Sequence, residues 1–419
     1  MNRREFLKSA GCLATAGAFA QNAQRKPNII LILSGDLGPG GLSCYGADNF
    51  RTPNLDRLAS SGLRFTHSYS APLAGPSRAL FLTGRYAFRT GATNQDAAGR
   101  MDPSEETMLP AYLKSAGYVS ACVGKWGQLP LTPAAFGFDE EFLSGGGPAY
   151  WTTLARTDYV PDRMHGFLAS FLERHRAAPF FVYYALSHMH GDIQPTPDSA
   201  PDNRDLYADN ILYMDKLVGK LLAELDRLKL RDDTLIVFTS DNGTGGVYAG
   251  ESTIGGRRLA GEKGSLLEGG SLVPLIVNWP GKTPSGQVVP DLVDSTDFLP
   301  TFAALAGAPL PTDVDFDGVS LAPRILGQAG PKRDWIFVEL GKNWYVRDAS
   351  WKLTQSGELF DMRNAPFEEP LASGHNDARQ RLQSVLDKLD PAGGITDDGD
   401  GNGRHKGRTI HTRKKKKPS

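Results

Sequence analysis

The 419-residue chain reads as an α/β protein: a doubly wound sheet flanked by helices, followed by a small antiparallel-sheet α+β subdomain. Three observations predict this. Strand-length apolar runs recur at residues 27–34, 119–123, 180–186, 235–239 and 272–277. Runs that are apolar at successive positions suit strands buried on both faces of a sheet. Helices lie between them, and strands alternating with helices make a doubly wound architecture. After about residue 330 the cadence shortens to strands at 335–340, 344–347, 351–354 and 359–360, then a helix near 378–389.

Each element has a local reason. Pro27 and Asn28 lead into Ile29-Ile30-Leu31-Ile32-Leu33-Ser34, the first strand. Thr52-Pro53 opens a helix, with Thr52 as cap and Pro53 in the first turn, and Leu55, Leu58 and Leu63 near its buried face. In the helix at 207–228, Ile211, Leu212, Met214, Leu217, Val218, Leu221, Leu222 and Leu225 recur at helical spacing. From Pro391 the chain turns to Gly, Asp and Lys, which reads as a disordered basic tail. The expected boundaries are a leader at 1–20, the α/β domain at 26–328, the small-sheet subdomain at 329–392 and the tail at 393–419.

With 40% hydrophobic and 22% charged residues, the composition is that of a globular protein. The formal net charge of -1 supplies no global field for nucleic acid. The charge is uneven, because residues 404–419 carry eight Lys/Arg and no acid, leaving -9 without them and -11 once residues 1–20 are also removed. The three cysteines, Cys12, Cys44 and Cys122, are too few to staple a chain of this size; Cys44 and Cys122 are expected as free buried thiols, with a Cys44–Cys122 pair as the alternative.

Arg3-Arg4-Glu5-Phe6-Leu7-Lys8, the apolar run at 10–20 and Ala18-Phe19-Ala20 have the pattern of a twin-arginine export signal. The apolar run is far below the ~20 residues that span a bilayer, so no transmembrane segment is expected there. The mature protein is expected to begin near Gln21 and to work in the periplasm or outside the cell.

Asp36 follows the first strand, and Asp241-Asn242-Gly243 follows the strand ending at Thr239. Open α/β sheets bind ligands at the C-terminal ends of their strands. Oxygen ligands of this kind suit Ca²⁺ or Mg²⁺, although Asp-Asn-Gly is also ordinary turn chemistry.

Ala74-Gly75-Pro76-Ser77-Arg78, followed by Leu82-Thr83-Gly84-Arg85, carries more information. It closely resembles the signature of the formylglycine-dependent sulfatases, in the alkaline-phosphatase-like superfamily. Thr52-Pro53-Asn54-Leu55-Asp56-Arg57-Leu58, Gly124-Lys125-Trp126, Ser240-Asp241-Asn242-Gly243 and Glu268-Gly269-Gly270 through Val273-Pro274 resemble further family elements in the family's order. So do Asp297 to Gly307, Trp351-Lys352-Leu353 and Glu358-Leu359-Phe360-Asp361. The likeness spans about residues 26–365 and implies an alkaline-phosphatase-like mixed sheet.

The resemblance implies a sulfuric-ester hydrolase acting on sulfated glycans or small sulfate esters. In the family a Cys or Ser oxidised to formylglycine attacks sulfur, and a divalent metal acts as Lewis acid and template. The metal positions fall at Gly35, Asp36, Asp241 and Asn242, with Ca²⁺ the expected ion. The sulfate-binding cations fall at Arg78, Lys125, His190 and Lys263. His190 transfers least cleanly, since the family's Pro-His-x-Pro reads Met189-His190-Gly191-Asp192 here.

Three departures stand out. Ala74 occupies the nucleophile position, Gly35 replaces the first metal Asp, and Gly127 replaces the His after Gly-Lys-Trp. A methyl group cannot be oxidised to an aldehyde, so no formylglycine is expected, and weakened metal binding is. Three functions follow: a sulfatase with residual chemistry, a catalytically dead homologue that binds a sulfated ligand or a partner, or a phosphohydrolase. The last needs a Ser or Thr nucleophile, and Ala74 disfavours it.

Overall fold

A computed structural model describes residues 26–144, 159–191 and 193–395. The leader, the residues beyond 395, Asp192 and residues 145–158 lie outside the described residues.

The first strand, β1 (Asn28–Ser34), is buried at every position. Its alternate side chains feed two cores. Ile29, Leu31 and Leu33 pack with Phe81, Leu82, Phe298 and Phe302 on one side. Ile30 and Ile32 pack with Leu55, Leu168, Phe171, Ile211 and Met214 on the other. That is the signature of a strand covered by helices on both faces.

Among the described residues, eight strands form the large sheet. Besides β1 they are β2 (Leu63–Tyr69), β3 (Val119–Gly124), β4 (Glu140–Leu143), β5 (Phe180–Ala185), β6 (Thr234–Ser240), β9 (Leu272–Asn278) and β10 (Gln287–Asp294). A short ribbon of β7 (Thr253–Ile254) and β8 (Arg257–Arg258) lies between β6 and β9 in sequence. The spatial order is β10-β2-β9-β6-β1-β5-β3-β4. β9 pairs antiparallel with both β6 and β2, whereas every other pairing in this sheet is parallel. β9 therefore runs against all its neighbours. That reversal brings the chain just before β9, including Lys263 and Glu268, to the rim where the parallel strands end.

The second sheet is β11 (Ile336–Leu340), β12 (Asn343–Arg347), β13 (Trp351–Thr354) and β14 (Leu359–Asp361), all antiparallel and in sequence order. The helix Asn376–Leu389 lays Ala378, Leu382 and Leu386 onto it. Leu80, Tyr86 and Phe88 from the larger unit enter the same cluster. A buried ion pair, Arg347 Nη1 to Glu268 Oε1 at 2.6 Å, and the Tyr69 hydroxyl donating to Glu268 Oε2 at 2.8 Å, tie the two sheets together.

Several expectations need correction. Leu63 is the first residue of β2, because the helix α1 (Pro53–Ser60) stops before Gly62. Thr52 precedes α1, but its hydroxyl caps no helix N–H; it bonds Ser43 at 2.9 Å. Leu212 points outward on its helix and is 47% exposed. Cys44 is only half-buried, although both it and Cys122 are free. Residues 393–395 do not belong to a tail. Gly393 closes a short 3₁₀ turn on the Asp390 side chain, and Ile395 N–H donates to Phe88 O at 2.7 Å.

Candidate functional site

The adjacent strands β6, β1, β5 and β3 end at one rim. β6 delivers Asp241 and Asn242, β1 delivers Gly35 and Asp36, and β3 delivers Lys125. The turn after β5 carries His188 and His190, with His190 N–H donating to Ser187 O at 3.2 Å. Asp36 sits in left-handed backbone, φ 60°, a region that Asp tolerates better than most residues. The turn is held by Leu37 N–H on Ser240 Oγ at 3.0 Å and Gly38 N–H on Thr244 Oγ1 at 3.0 Å.

The helix α2 (Ala74–Thr83) follows β2 and starts with Ala74, whose methyl is fully buried. Arg78, one turn on, is wholly out of solvent. Its Nη2 donates to Asp241 Oδ2 at 2.7 Å, and its Nη1 donates to Lys125 O at 2.7 Å and to the Tyr183 hydroxyl at 3.0 Å. One guanidinium thus fastens α2 to three strand ends. The Ser77 hydroxyl donates to Ala71 O at 2.8 Å and Leu73 O at 2.9 Å. Both bonds hold the turn into α2, so Ser77 is a structural group here. Gly75 N–H donates to the Gln95 carboxamide. A side chain at 75 would collide with that oxygen, since a Cβ would lie 2.6 Å from it.

Lys263 Nζ reaches Asp36 Oδ2 at 2.8 Å. Asn242 Nδ2 donates to Asp36 Oδ1 at 2.9 Å, and Asp36 N–H donates to Asp241 Oδ1 at 3.2 Å. Lys125 is 5% exposed, and its ammonium has no hydrogen-bond partner. Its stem lies over Gly127, where a Cβ would come within 2.9 Å of Lys125 Cε.

Burial, then the neighbouring Arg78, pushes Lys125 down to about 8, with Asp241 and Asp36 pulling the other way. Half-buried His190 is pushed down to about 4 by burial and then by Lys125, so its ring is neutral near neutral pH. Lys263, Asp36 and Asp241 also act on it, which puts His190 in the same electrostatic neighbourhood. Burial alone would raise Asp241, but Arg78, Lys125 and Lys263 outweigh it and hold the carboxyl below its usual range.

The structure therefore brings Asp36, Asp241, Asn242, Arg78, Lys125, Lys263 and His190 together, with Ala74 at the head of the helix that carries Arg78. The donor set fits a divalent ion poorly. Gly35 offers no side-chain oxygen, and Asp36 and Asn242 bond directly to each other. Each of the four Asp36 and Asp241 carboxylate oxygens already accepts from a protein donor. Asn242 Oδ1 is the exception, buried without a partner. Among the described residues no group of three or more His, Cys, Asp or Glu side chains is gathered as for a metal.

Sequence reasoning missed Tyr183, Gln95, Thr244 and Tyr207. Tyr183 carries a signal, a polar-tipped residue near the end of a fully apolar strand. Gln95 carries none, since it meets α2 only in the folded chain. The Tyr207 hydroxyl bonds Ser252 Oγ at 3.2 Å, and the Asp36 charge acts on it. The Tyr207 ring stacks on Tyr248 at 4.3 Å. Beside that stack opens a cavity of about 640 Å³, lined by Asn49, Arg204, Tyr248 and Glu251 among others.

The family model described as Sulfatase matches residues 27–308. The human N-acetylgalactosamine-6-sulfatase is 36% identical over 353 residues, covering 74% of this chain and 68% of that protein. Human arylsulfatase A is 33% identical over 374 residues, covering 78% and 72%. Among solved structures, that of Ps i-CgsB in complex with k-i-k-neocarrahexaose superposes with a TM-score of 0.77 at 28% identity, covering 87% of this chain and 93% of that one.

Proposed function

The chain belongs to the sulfatase family, and we propose that it is a member that holds sulfated glycans without hydrolysing them. One observation carries the reading: Arg78, Lys125 and Lys263 gather about Asp36 and Asp241, while the helix that carries Arg78 has only a methyl group at its nucleophile position. Arg78, Lys125 and Lys263 keep the positive charge that receives a sulfate, and His190 lies among them. Ala74, fully buried at the head of α2, has neither a nucleophilic atom nor an oxidisable one. Gly127 lacks the imidazole that the family carries after Gly-Lys-Trp, and Ser77 is committed to backbone carbonyls.

A glycan is favoured over a small ester by the open polar cavity next to the site, with its exposed Arg204 and Glu251 and its stacked tyrosines. Among similar structures, one is a complex with neocarrahexaose. The residues proposed to hold the sulfate are Arg78, Lys125, His190 and Lys263. The twin-arginine pattern supports a site of action in the periplasm or outside the cell.

The family generally uses a divalent metal, which serves there as Lewis acid and template. Gly35 leaves this chain a poorer donor set for it.

A second reading, slow sulfate-ester hydrolysis by water, draws on the same retained cations, because electrostatic stabilisation can act without a covalent nucleophile. A hydrolysis screen of the mature protein on aryl sulfates and sulfated oligosaccharides, with matched phosphate esters, tests the proposal. No turnover above buffer is expected. Turnover that disappears in Lys125→Ala and Lys263→Ala would establish the second reading instead.

A further inference from the structure

We propose that the Lys263 ammonium takes the place of the divalent ion in this site, so that the protein receives a sulfate-type oxyanion there with no metal. The oxyanion half of this rests on the binding function proposed above; the metal half does not.

The geometry begins with Asp36. One of its oxygens lies 2.8 Å from Lys263 Nζ and the other accepts from Asn242 Nδ2 at 2.9 Å. The second carboxylate, Asp241, is equally engaged, with Arg78 at 2.7 Å and Asp36 N–H at 3.2 Å. A divalent ion must displace these donors and still find six or more oxygens in the case of Ca²⁺. Gly35 supplies no carboxylate to them.

Lys263 is held by its backbone. Its N–H donates to Thr244 O at 3.0 Å, just after β6, and Gly264 N–H donates to Pro72 O at 2.9 Å, just before α2. Gly261 and Gly264 take positive φ, 77° and 84°, which lets the loop turn tightly on both sides of Lys263. The lysine is pinned between the two segments that build the site, and its side chain is only 20% exposed.

Charge points the same way. Two carboxylates face Arg78, Lys125 and Lys263, an excess of one positive charge when all are ionised. Adding a divalent cation raises that excess to three, whereas a sulfate group removes it. Charges at this spacing in a poorly solvated site interact far more strongly than in water. The buried Lys125 ammonium also has no partner, and a buried charge is costly unless something pairs it. An oxyanion satisfies that demand and a cation aggravates it.

The experiment is calorimetric titration of calcium chloride into EDTA-treated mature protein, in wild type, Lys263→Arg, and Lys263→Met combined with Gly35→Asp. A Cβ at Gly35 meets nothing closer than Leu186 O at 3.3 Å and has Asp241 Oδ2 at 3.9 Å, so the new carboxylate stands beside the old one. Wild type and Lys263→Arg are expected to give no saturable calcium binding. The double variant is expected to gain it. Saturable calcium binding by the wild type would overturn the proposal whatever the variants do, and so would a double variant that folds yet takes no calcium.

Inorganic sulfate is the second probe, read by thermal shift in EDTA and in calcium. Equal stabilisation in the two buffers, to within roughly twofold in apparent affinity, is expected. Stabilisation seen only with calcium would overturn the proposal. No stabilisation in either buffer would remove the oxyanion half, with the binding function it rests on, while the calcium titration decides the part played by Lys263.

Discussion

Arg78 and Asp241 form an ion pair at 2.7 Å with neither side chain exposed to solvent. Removing one partner of a buried pair strands the other charge and typically costs about 3–5 kcal/mol. Arg78 also holds Lys125 O and the Tyr183 hydroxyl, so Arg78→Met is expected to fall in that range by denaturant unfolding. Asp241→Asn should cost less, because the amide still accepts from Arg78. The Asp241 carboxyl is held below its usual range. The stability it contributes is therefore present above the unfolded value of ~3.9 and lost as pH falls through the lower folded one. Arg78→Met should flatten that acid limb.

Lys125→Met is expected to stabilise the ligand-free protein while weakening sulfate binding. The ammonium is buried and unpaired, and a buried charge without a partner is costly, so an apolar side chain of similar shape removes that cost. Burial and Arg78 push Lys125 down to about 8. The folded state thus binds this proton less well than the unfolded state, and stability should rise with pH between about 8 and the unfolded value near ~10.4. Ligand affinity should fall over the lower part of that range as the ammonium is lost. Melting curves and sulfate titrations across pH, in wild type and Lys125→Met, check both signs.

Much of this was legible in the sequence, for identifiable reasons. β1, β3, β5, β6 and β9 are apolar runs, and strands buried on both faces advertise themselves that way. β4 and β10 went unseen because they are half-exposed edge strands, β10 with Pro290 inside it, and β2 because Arg64, Thr66, His67 and Ser68 interrupt its apolar run. The reversed direction of β9 has no local signature, yet it explains how Lys263 reaches a rim built from strands far from it in sequence. Asp36, Asp241 and Asn242 were readable at strand ends. Their pairing with Lys263 and Arg78 was not, because it depends on which loop crosses which strand.

Restoring chemistry should require more than the nucleophile. Ala74→Cys leaves Pro76 and Arg78 of the signature intact, so coexpression with a formylglycine-generating enzyme is expected to give an aldehyde detectable by peptide mass spectrometry across residues 70–78. Its sulfate-ester turnover should stay far below that of the triple variant with Gly35→Asp and Gly127→His. General acid–base help alone is worth roughly 10²–10⁴-fold, and groups acting as a unit combine non-additively. The histidine must share space with Lys125, whose stem now lies over Gly127. An Ala74→Cys rate equal to that of the triple variant would show that other residues already fill those roles.

The small sheet is expected to unfold together with the large one. Arg347 and Glu268 are each about 1% exposed at the junction, Tyr69 donates to the same carboxylate, and Leu80 and Phe88 sit in the small sheet's core. Glu268→Ala should cost about 3–5 kcal/mol and lower a single calorimetric transition. Two resolved transitions in the wild type would show that the sheets fold independently.

The most direct test of the central claim is one titration with two readouts. A sulfated oligosaccharide and its desulfated counterpart are titrated into the mature wild-type protein, and free sulfate is then measured in the same samples by ion chromatography. Saturable binding that depends on the sulfate group, with no sulfate released above a protein-free control, is the expected result. Sulfate released in proportion to protein and time, or equal affinity for the desulfated sugar, would contradict it.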